Sequence, residues 1–315
     1  MRERTHAVRA RPSFARRMGF VAGALALGLS FTAAADNVRG RWSPVYGWPL
    51  IPIHKALLPD GRVLTYGTDG SGKQTGYFIY DVWDPSAGPT AGHLTLPNLT
   101  GTDVFCSSQI VLPQSGAVLI AGGDNWTGSA TTNTGNNDSN TFDFVTNALA
   151  RGNDMNRARW YSSSTTLVNG DTYIQGGSGG GDRPEVRDAF GNFRVLSNVD
   201  TSSLASLYPR NWVAPDGRIF GFDTNGRMYF VDTTGNGTLF VQGTIPGATN
   251  WTSGAAMYRP GKILQLGGAS SAATLIDING PTPVTSSAPS MTSQRQWVSA
   301  TVMADGRVLA TGGSQ

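Results

Sequence analysis

From about residue 50 onward, apolar residues come in short runs broken by turn-forming pairs, and no stretch sustains the 3.6-residue period of an amphipathic helix. Each run has the length of a β-strand, and each break suits a tight hairpin, for which a two-residue Asp-Gly or Asn-Gly loop is the simplest expectation. The strand–turn–strand units repeat. The copies are "PIHKALLPDGRVLTYG" from Pro52, "CSSQIVLPQSGAVLIAGG" from Cys106, "YSSSTTLVNGDTYIQGG" from Tyr161, "YPRNWVAPDGRIFGFD" from Tyr208, "TSGAAMYRPGKILQLGG" from Thr252 and "WVSATVMADGRVLATGG" from Trp297.

The turn glycines of these copies, Gly61, Gly116, Gly170, Gly217, Gly261 and Gly306, recur at intervals of 44 to 55 residues. A period of that size holding four short strands, with endings close to D-G-x-V-x-x-x-G-G, predicts an all-β, kelch-type β-propeller over residues 36–315. A β-sandwich does not account for six glycine turns in near-constant phase. In a propeller, equivalent residues of successive blades sit at one height and one distance from the axis, so the first residues of the copies form a ring: Pro52, Cys106, Tyr161, Tyr208, Thr252 and Trp297. A thiol, two phenols and an indole in one ring mark that mouth of the axial channel as the place for chemistry. The polar, Gly- and Asn-rich stretch 126–143 reads as a long connection between blade strands, overhanging the channel.

Composition says where such a domain would work. Residues 1–35 read as a signal peptide: an Arg-rich start, an apolar run from Met18 to Phe31 and an Ala33-Ala34-Ala35 cleavage site. The run is too short to span a bilayer, no later segment approaches that length, and the expected destination is secreted or periplasmic. Arg16 and Arg17 leave twin-arginine export open beside the general route. The leader holds six Arg and one Glu, so the formal charge of +3 becomes −2 without it, which gives no basis for a nucleic-acid or anionic-membrane partner. Charged residues make up 14% of the chain against 41 Gly, a balance that favours turns over helices. Zinc-type Cys/His clusters, phosphate-cradling glycine loops and a G-x-S-x-G elbow are all missing. The oxygen-rich "NNDS" and "TDGSGK" lack EF-hand spacing and read as solvated loops.

Chemistry centres on Cys106, the one cysteine of the chain. Cys106 and Tyr161 hold equivalent positions in consecutive copies, each followed by Ser-Ser, so their side chains should approach across one blade boundary. A small buried thiol with a purely structural role is the plain alternative. "TDVFCSSQIVLPQSGAVLIAGG", followed one blade later by "NRARWYSSSTTLVNGDTYIQGG", resembles the galactose oxidase and glyoxal oxidase group of copper radical oxidases, in the same repeat order from about Trp42 onward. The resemblance implies a thioether between Cys106 Sγ and the ring carbon ortho to the Tyr161 hydroxyl, with the Tyr161 oxygen as a copper ligand. It further implies a Cys–Tyr radical cofactor that works with copper to oxidise a primary alcohol or aldehyde, on a carbohydrate or small aldehyde, with O2 giving H2O2. "LYPRNWVAPDG" resembles the segment that presents a substrate-binding arginine, which makes Arg210 the match; a blade-packing arginine is the alternative.

The chain also departs from that pattern. Gly179 stands where galactose oxidase has the tryptophan that covers the modified tyrosine, so another blade is expected to supply the ring, with Trp160 and Trp126 nearest in sequence. The family completes its copper site with a tyrosine and an adjacent histidine in a seventh kelch copy, an R-x-Y-H-S stretch, and with a histidine from a C-terminal β-sandwich. Only six of the seven copies are found here, the last ending in "LATGGSQ". His54 and His93, the histidines outside the leader, match no ligand motif, and imidazole is the usual protein ligand for copper. The expectation is therefore an oxidase-like propeller, incomplete at its C-terminal end and impaired by missing copper ligands. Three readings stay open: a shortened reading frame, an N-terminal fragment of a larger oxidase, or a non-catalytic secreted propeller that closes with six blades and binds glycan or protein. A stop in mid-blade fits truncation, since outer strands for the sixth copy would have to come from residues 41–46.

Overall fold

Each of the first five sequence copies opens a four-stranded antiparallel sheet, and the sixth forms a two-stranded hairpin. The computed structural model describes residues 42–247 and 249–315; the leader read at residues 1–35 lies outside the described residues. Among the described residues the sole helix is a 3-10 turn, Pro85–Ala87, and no helix is long and apolar enough to cross a membrane. The sheets are the blades of an all-β propeller. Their innermost strands are Ile51–Leu57, Ser108–Val111, Trp160–Thr166, Arg210–Val213, Ser253–Arg259 and Ser299–Val302.

Strands pair in sequence order in every four-stranded blade except the second. There a separate small hairpin, Trp126–Thr127 with Ala130–Thr131, lies in the connection before Ser139–Asp143 joins the sheet as its third strand. The long connection read over 126–143 is thus real but ends earlier. Blade 6 contains Ser299–Val302 and Val308–Thr311, and residues 42–46 contribute no strand to it.

The turns differ from the two-residue expectation. In blades 1, 3, 4 and 6 the flanking residues pair around three loop residues, as in Leu58 N–H to Arg62 O at 2.8 Å, with Gly61 N–H returning to Leu58 O at 3.0 Å. Gly61, Gly170, Gly217 and Gly306 take positive φ of 82° to 87°, the left-handed residue that closes a three-residue hairpin. Where the turn reads Asp-Gly-Arg, the aspartate accepts the Arg N–H and the guanidinium Nε, as for Asp60 with Arg62, Asp216 with Arg218 and Asp305 with Arg307. That side-chain clamp favours the longer loop. Blade 5 keeps a two-residue loop, with Arg259 opposite Lys262.

Burial explains the hydrophobic pattern. Second strands such as Val118–Ala121 and Ile219–Phe222 are buried along their whole length because a neighbouring blade covers each face. Outer strands such as Thr238–Thr244 are largely exposed. The core is accordingly split into clusters between blades: Leu64, Tyr66, Tyr80, Ile120 and Phe142 between blades 1 and 2, and Phe220, Phe230, Ile263 and Ile276 between blades 4 and 5. Each such side chain contributes about 1.5–3 kcal/mol on burial. The shared Gly-Gly ending has a steric cause: a Cβ at Gly122 would meet Arg159 O at 2.0 Å, and one at Gly123 would meet Asp103 O at 1.9 Å.

Candidate active site

All six ring residues line one cavity of about 980 Å3, together with His54, Gln109, Arg210 and Trp251. Four of the six, Cys106, Tyr161, Tyr208 and Trp297, have φ between 47° and 70°. Left-handed backbone is unfavourable for residues with a Cβ and is retained where the surroundings over-determine it. Here the surroundings are hydrogen bonds between blades. Tyr161 N–H donates to Cys106 O at 2.9 Å, Tyr208 N–H to Tyr161 O at 2.8 Å and Trp297 N–H to Thr252 O at 2.8 Å.

Two junctions break the series, and side chains bridge both. Cys106 N–H donates not to a blade 1 carbonyl but to His54 Nε2 at 3.0 Å. Thr252 N–H turns to Asn250 Oδ1 at 2.8 Å, and Arg210 spans blades 4 and 5 by donating to the Tyr208, Trp251 and Ser253 carbonyls. Burial lowers Arg210 to about 10, so it remains a cation at neutral pH. Arg210 therefore faces the cavity while much of its donor capacity is already taken up by main chain.

Cys106 is 5% exposed, and its thiol lies beside Tyr208 and Tyr161, both of which influence its protonation. Burial raises the thiol to about 12, with the carboxylates of Asp103 and Asp124 adding to the rise. Burial also raises Tyr161 and Tyr208, so all three groups keep their protons at neutral pH. The two phenol rings meet edge to face at 5.1 Å. Trp160 stacks on Tyr161 with centroids 4.2 Å apart and planes 29° apart. Neighbouring side chains on a regular strand point to opposite faces; the positive φ of Tyr161 breaks that alternation and lets adjacent rings stack. The covering ring thus comes from the same strand as the tyrosine, not from another blade. Trp126 lies elsewhere, stacked on Tyr77 at 5.5 Å and donating to Asp103, and its hairpin does not line the cavity.

Both serines after Cys106 find partners, whereas the buried Ser162 hydroxyl after Tyr161 has none among the described residues. Ser108 and Ser164 hydroxyls meet at 2.6 Å across the boundary of blades 2 and 3, while Ser107 bonds the Tyr66 hydroxyl at 2.9 Å. Tyr66 donates in addition to Gln109 Oε1 at 3.1 Å and stacks on His54 at 4.8 Å.

Sequence reasoning singled out Cys106, Tyr161 and Arg210, and the structure brings all three to one cavity. It passed over Tyr208 as a second phenol beside the same thiol, although the ring already contained it, and dismissed His54 because no ligand motif surrounds it. His93 is remote, bonded through Nδ1 to Asp81 at 2.7 Å and enclosed by Trp48 and Trp83.

Copper fits this cluster in part. Phenol oxygens and a sulfur converge, but the one imidazole at the cavity, that of His54, already accepts the Cys106 amide on Nε2. Among the described residues no group of three His, Cys, Asp or Glu side chains is placed to hold a metal ion. The described residues do not complete a copper site.

No protein-family model matches the chain. It is 30% identical over 157 residues to galactose oxidase of Gibberella zeae, a match covering 48% of this chain and 21% of that protein. It is 26% identical over 239 residues to a WSC domain-containing protein of Arthroderma benhamiae, covering 70% of this chain and 24% of that one. Among solved structures, a fungal alcohol oxidase of the AA5 family, in complex with copper, superposes with a TM-score of 0.73 at 21% identity over 87% of this chain and 61% of its own. The chain spans about a fifth to a quarter of the length of these curated relatives.

Proposed function

We propose, from the chain's similarity to galactose oxidase, that it is a relative of the copper radical oxidases and that its propeller carries the radical-cofactor part of an alcohol or aldehyde oxidase. The observation that supports this most is that Cys106, buried at the cavity, and Tyr161 are neighbours joined by the Tyr161 N–H to Cys106 O bond at 2.9 Å, while Trp160 stacks on the phenol ring. Cys106 Sγ bonds to the Tyr161 ring carbon ortho to the hydroxyl. The thiol S–H and that ring C–H are lost, and O2 is reduced to H2O2 by the two hydrogens removed. A sulfur substituent makes the phenol easier to oxidise, and the stacked Trp160 indole covers one face of the half-buried ring.

The assembled enzyme would convert R–CH2OH and O2 to R–CHO and H2O2. Copper, when bound, supplies a second one-electron centre beside the tyrosine. Tyr161 is the ligand this chain would offer and Arg210 the group that would meet substrate. Substrates are small primary alcohols, aldehydes or carbohydrate units, and the leader carries the protein out of the cytoplasm. As it stands the chain is expected to produce little or no H2O2 from such substrates. A second reading, a non-catalytic propeller that binds glycan or protein, draws on Trp251 and Trp297, 44% and 50% exposed beside the cavity.

Intact mass separates the two readings. Protein produced with copper salt in air is expected to weigh two hydrogens less than its sequence. The full sequence mass, with Cys106 alkylated stoichiometrically after unfolding, would favour the binding reading.

A further inference from the structure

We infer that His54 is a positioning residue for the Cys106–Tyr161 pair: its imidazole takes the place of a main-chain carbonyl as acceptor for the Cys106 amide and so fixes where the sulfur points. The inference rests on the proposed cross-link. It begins from the ring of hydrogen bonds between blades. At Tyr161, Tyr208 and Trp297 the left-handed ring residue donates its N–H to the carbonyl of the preceding ring residue. Cys106 has the same left-handed backbone, with φ of 57°, yet its N–H goes to His54 Nε2 at 3.0 Å.

An unpaired buried amide is strongly unfavourable, and so is the left-handed conformation that Cys106 holds. Without an acceptor at this point, the peptide before Cys106 has reason to rotate, and the Cα–Cβ vector rotates with it. The imidazole is itself held firmly. It stacks on Tyr66 at 4.8 Å and 17° and meets Phe105 edge-on at 6.0 Å. Since Nε2 accepts, the proton of the neutral ring sits on Nδ1. Gln109 and Ser107 are tied in turn to the Tyr66 hydroxyl. The "CSSQ" segment is thus clasped from blade 1 by His54 and Tyr66, and the thiol is left beside Tyr161 and Tyr208. Without the clasp, the choice between these two phenols is unspecified.

Two variants, made in the full chain and treated with copper salt in air, test this. His54→Phe keeps a ring against Tyr66 and removes the acceptor; His54→Gln keeps an acceptor and loses the ring. H54F is expected to form the Tyr161-linked product roughly tenfold more slowly than wild type, with free thiol or Tyr208-linked product in its place, whereas H54Q stays within about threefold. A merely structural role predicts that cross-linking follows melting temperature instead, and folded H54F linking Tyr161 at the wild-type rate would overturn the inference. Should H54F not fold, folded H54Q decides alone, since a tenfold or greater loss there contradicts an acceptor role. Wild type that never cross-links defeats the earlier reading instead. Amide hydrogen exchange at Cys106, expected slow in wild type and H54Q and fast in H54F, then reads the positioning contact independently, and equal exchange in all three would refute it.

Discussion

Cys106 is protected twice, by burial that raises its thiol to about 12 and by its place beneath two protonated phenols. The thiolate is the reactive form, so iodoacetamide at pH 8 is expected to modify any unlinked Cys106 far more slowly in native than in urea-unfolded protein. Similar rates in both would contradict the geometry. Two other residues near the thiol titrate in opposition. Burial lowers His54 from 6.5 to about 4, so the unfolded chain takes that proton first and stability is lost as pH falls through this range. Burial raises Asp103 from 3.8 to about 6, so its contribution is present at low pH and lost as pH rises through 6. Together they flatten the profile between pH 4 and 6. Asp103→Asn removes the falling limb, and its stability relative to wild type is expected to rise by about 1–3 kcal/mol from pH 4 to pH 6.5, measured by urea unfolding. A difference that stays constant or falls would show that Asp103 is not raised. At this scale the sequence displayed residue types without their partners: nothing around His54 announces that it accepts an amide from residue 106, and nothing around Tyr161 announces a positive φ that brings Trp160 over its ring.

The blade was the most legible element. Six glycine turns in phase foretold the six hairpins because each turn needs a residue free to adopt positive φ and each second strand needs apolar side chains on both faces. Loop length was misread, since the Asp-Gly-Arg clamp that selects three residues is a side-chain interaction invisible to simple turn counting. The hairpin inside the second blade's connection was missed because two-residue strands carry no periodicity. Gly122 and Gly61 separate two reasons for glycine. Gly61 has φ of 87° and open space around it, while Gly122 has φ of 76° and the Arg159 carbonyl where a Cβ would lie. Gly61→Ala is expected to cost about 1–2 kcal/mol, and Gly122→Ala clearly more or to prevent folding; equal urea midpoints would contradict the close approach. Blade 3 also depends on a fully buried ion pair, Arg159 with Glu185 at 3.0 Å, in which Arg159 further bonds the Gly176 and Arg183 carbonyls. Glu185→Ala leaves that guanidinium without its counter-charge and is expected to lose about 3–5 kcal/mol, seen as a lower melting temperature; a loss under 1 kcal/mol would mean that the carbonyls alone satisfy it.

For the molecule as a whole, five complete blades and a hairpin gather one residue from each copy around a single cavity, as the ring argument anticipated. What the repeat could not convey is how the ring is tied, with three main-chain links and two side-chain bridges from His54 and Arg210. That distinction changes the reading of Arg210, which now joins blades 4 and 5 as well as facing the cavity. The central claim remains the bond between Cys106 and Tyr161, and fragment-ion mass spectrometry of digested protein, produced with copper salt in air, tests it most directly. The account expects one linked pair of peptides joined from Cys106 to the ring of Tyr161, absent in Tyr161→Phe and present in Tyr208→Phe. Cys106 recovered only as free thiol, or joined to any residue other than Tyr161, would contradict it.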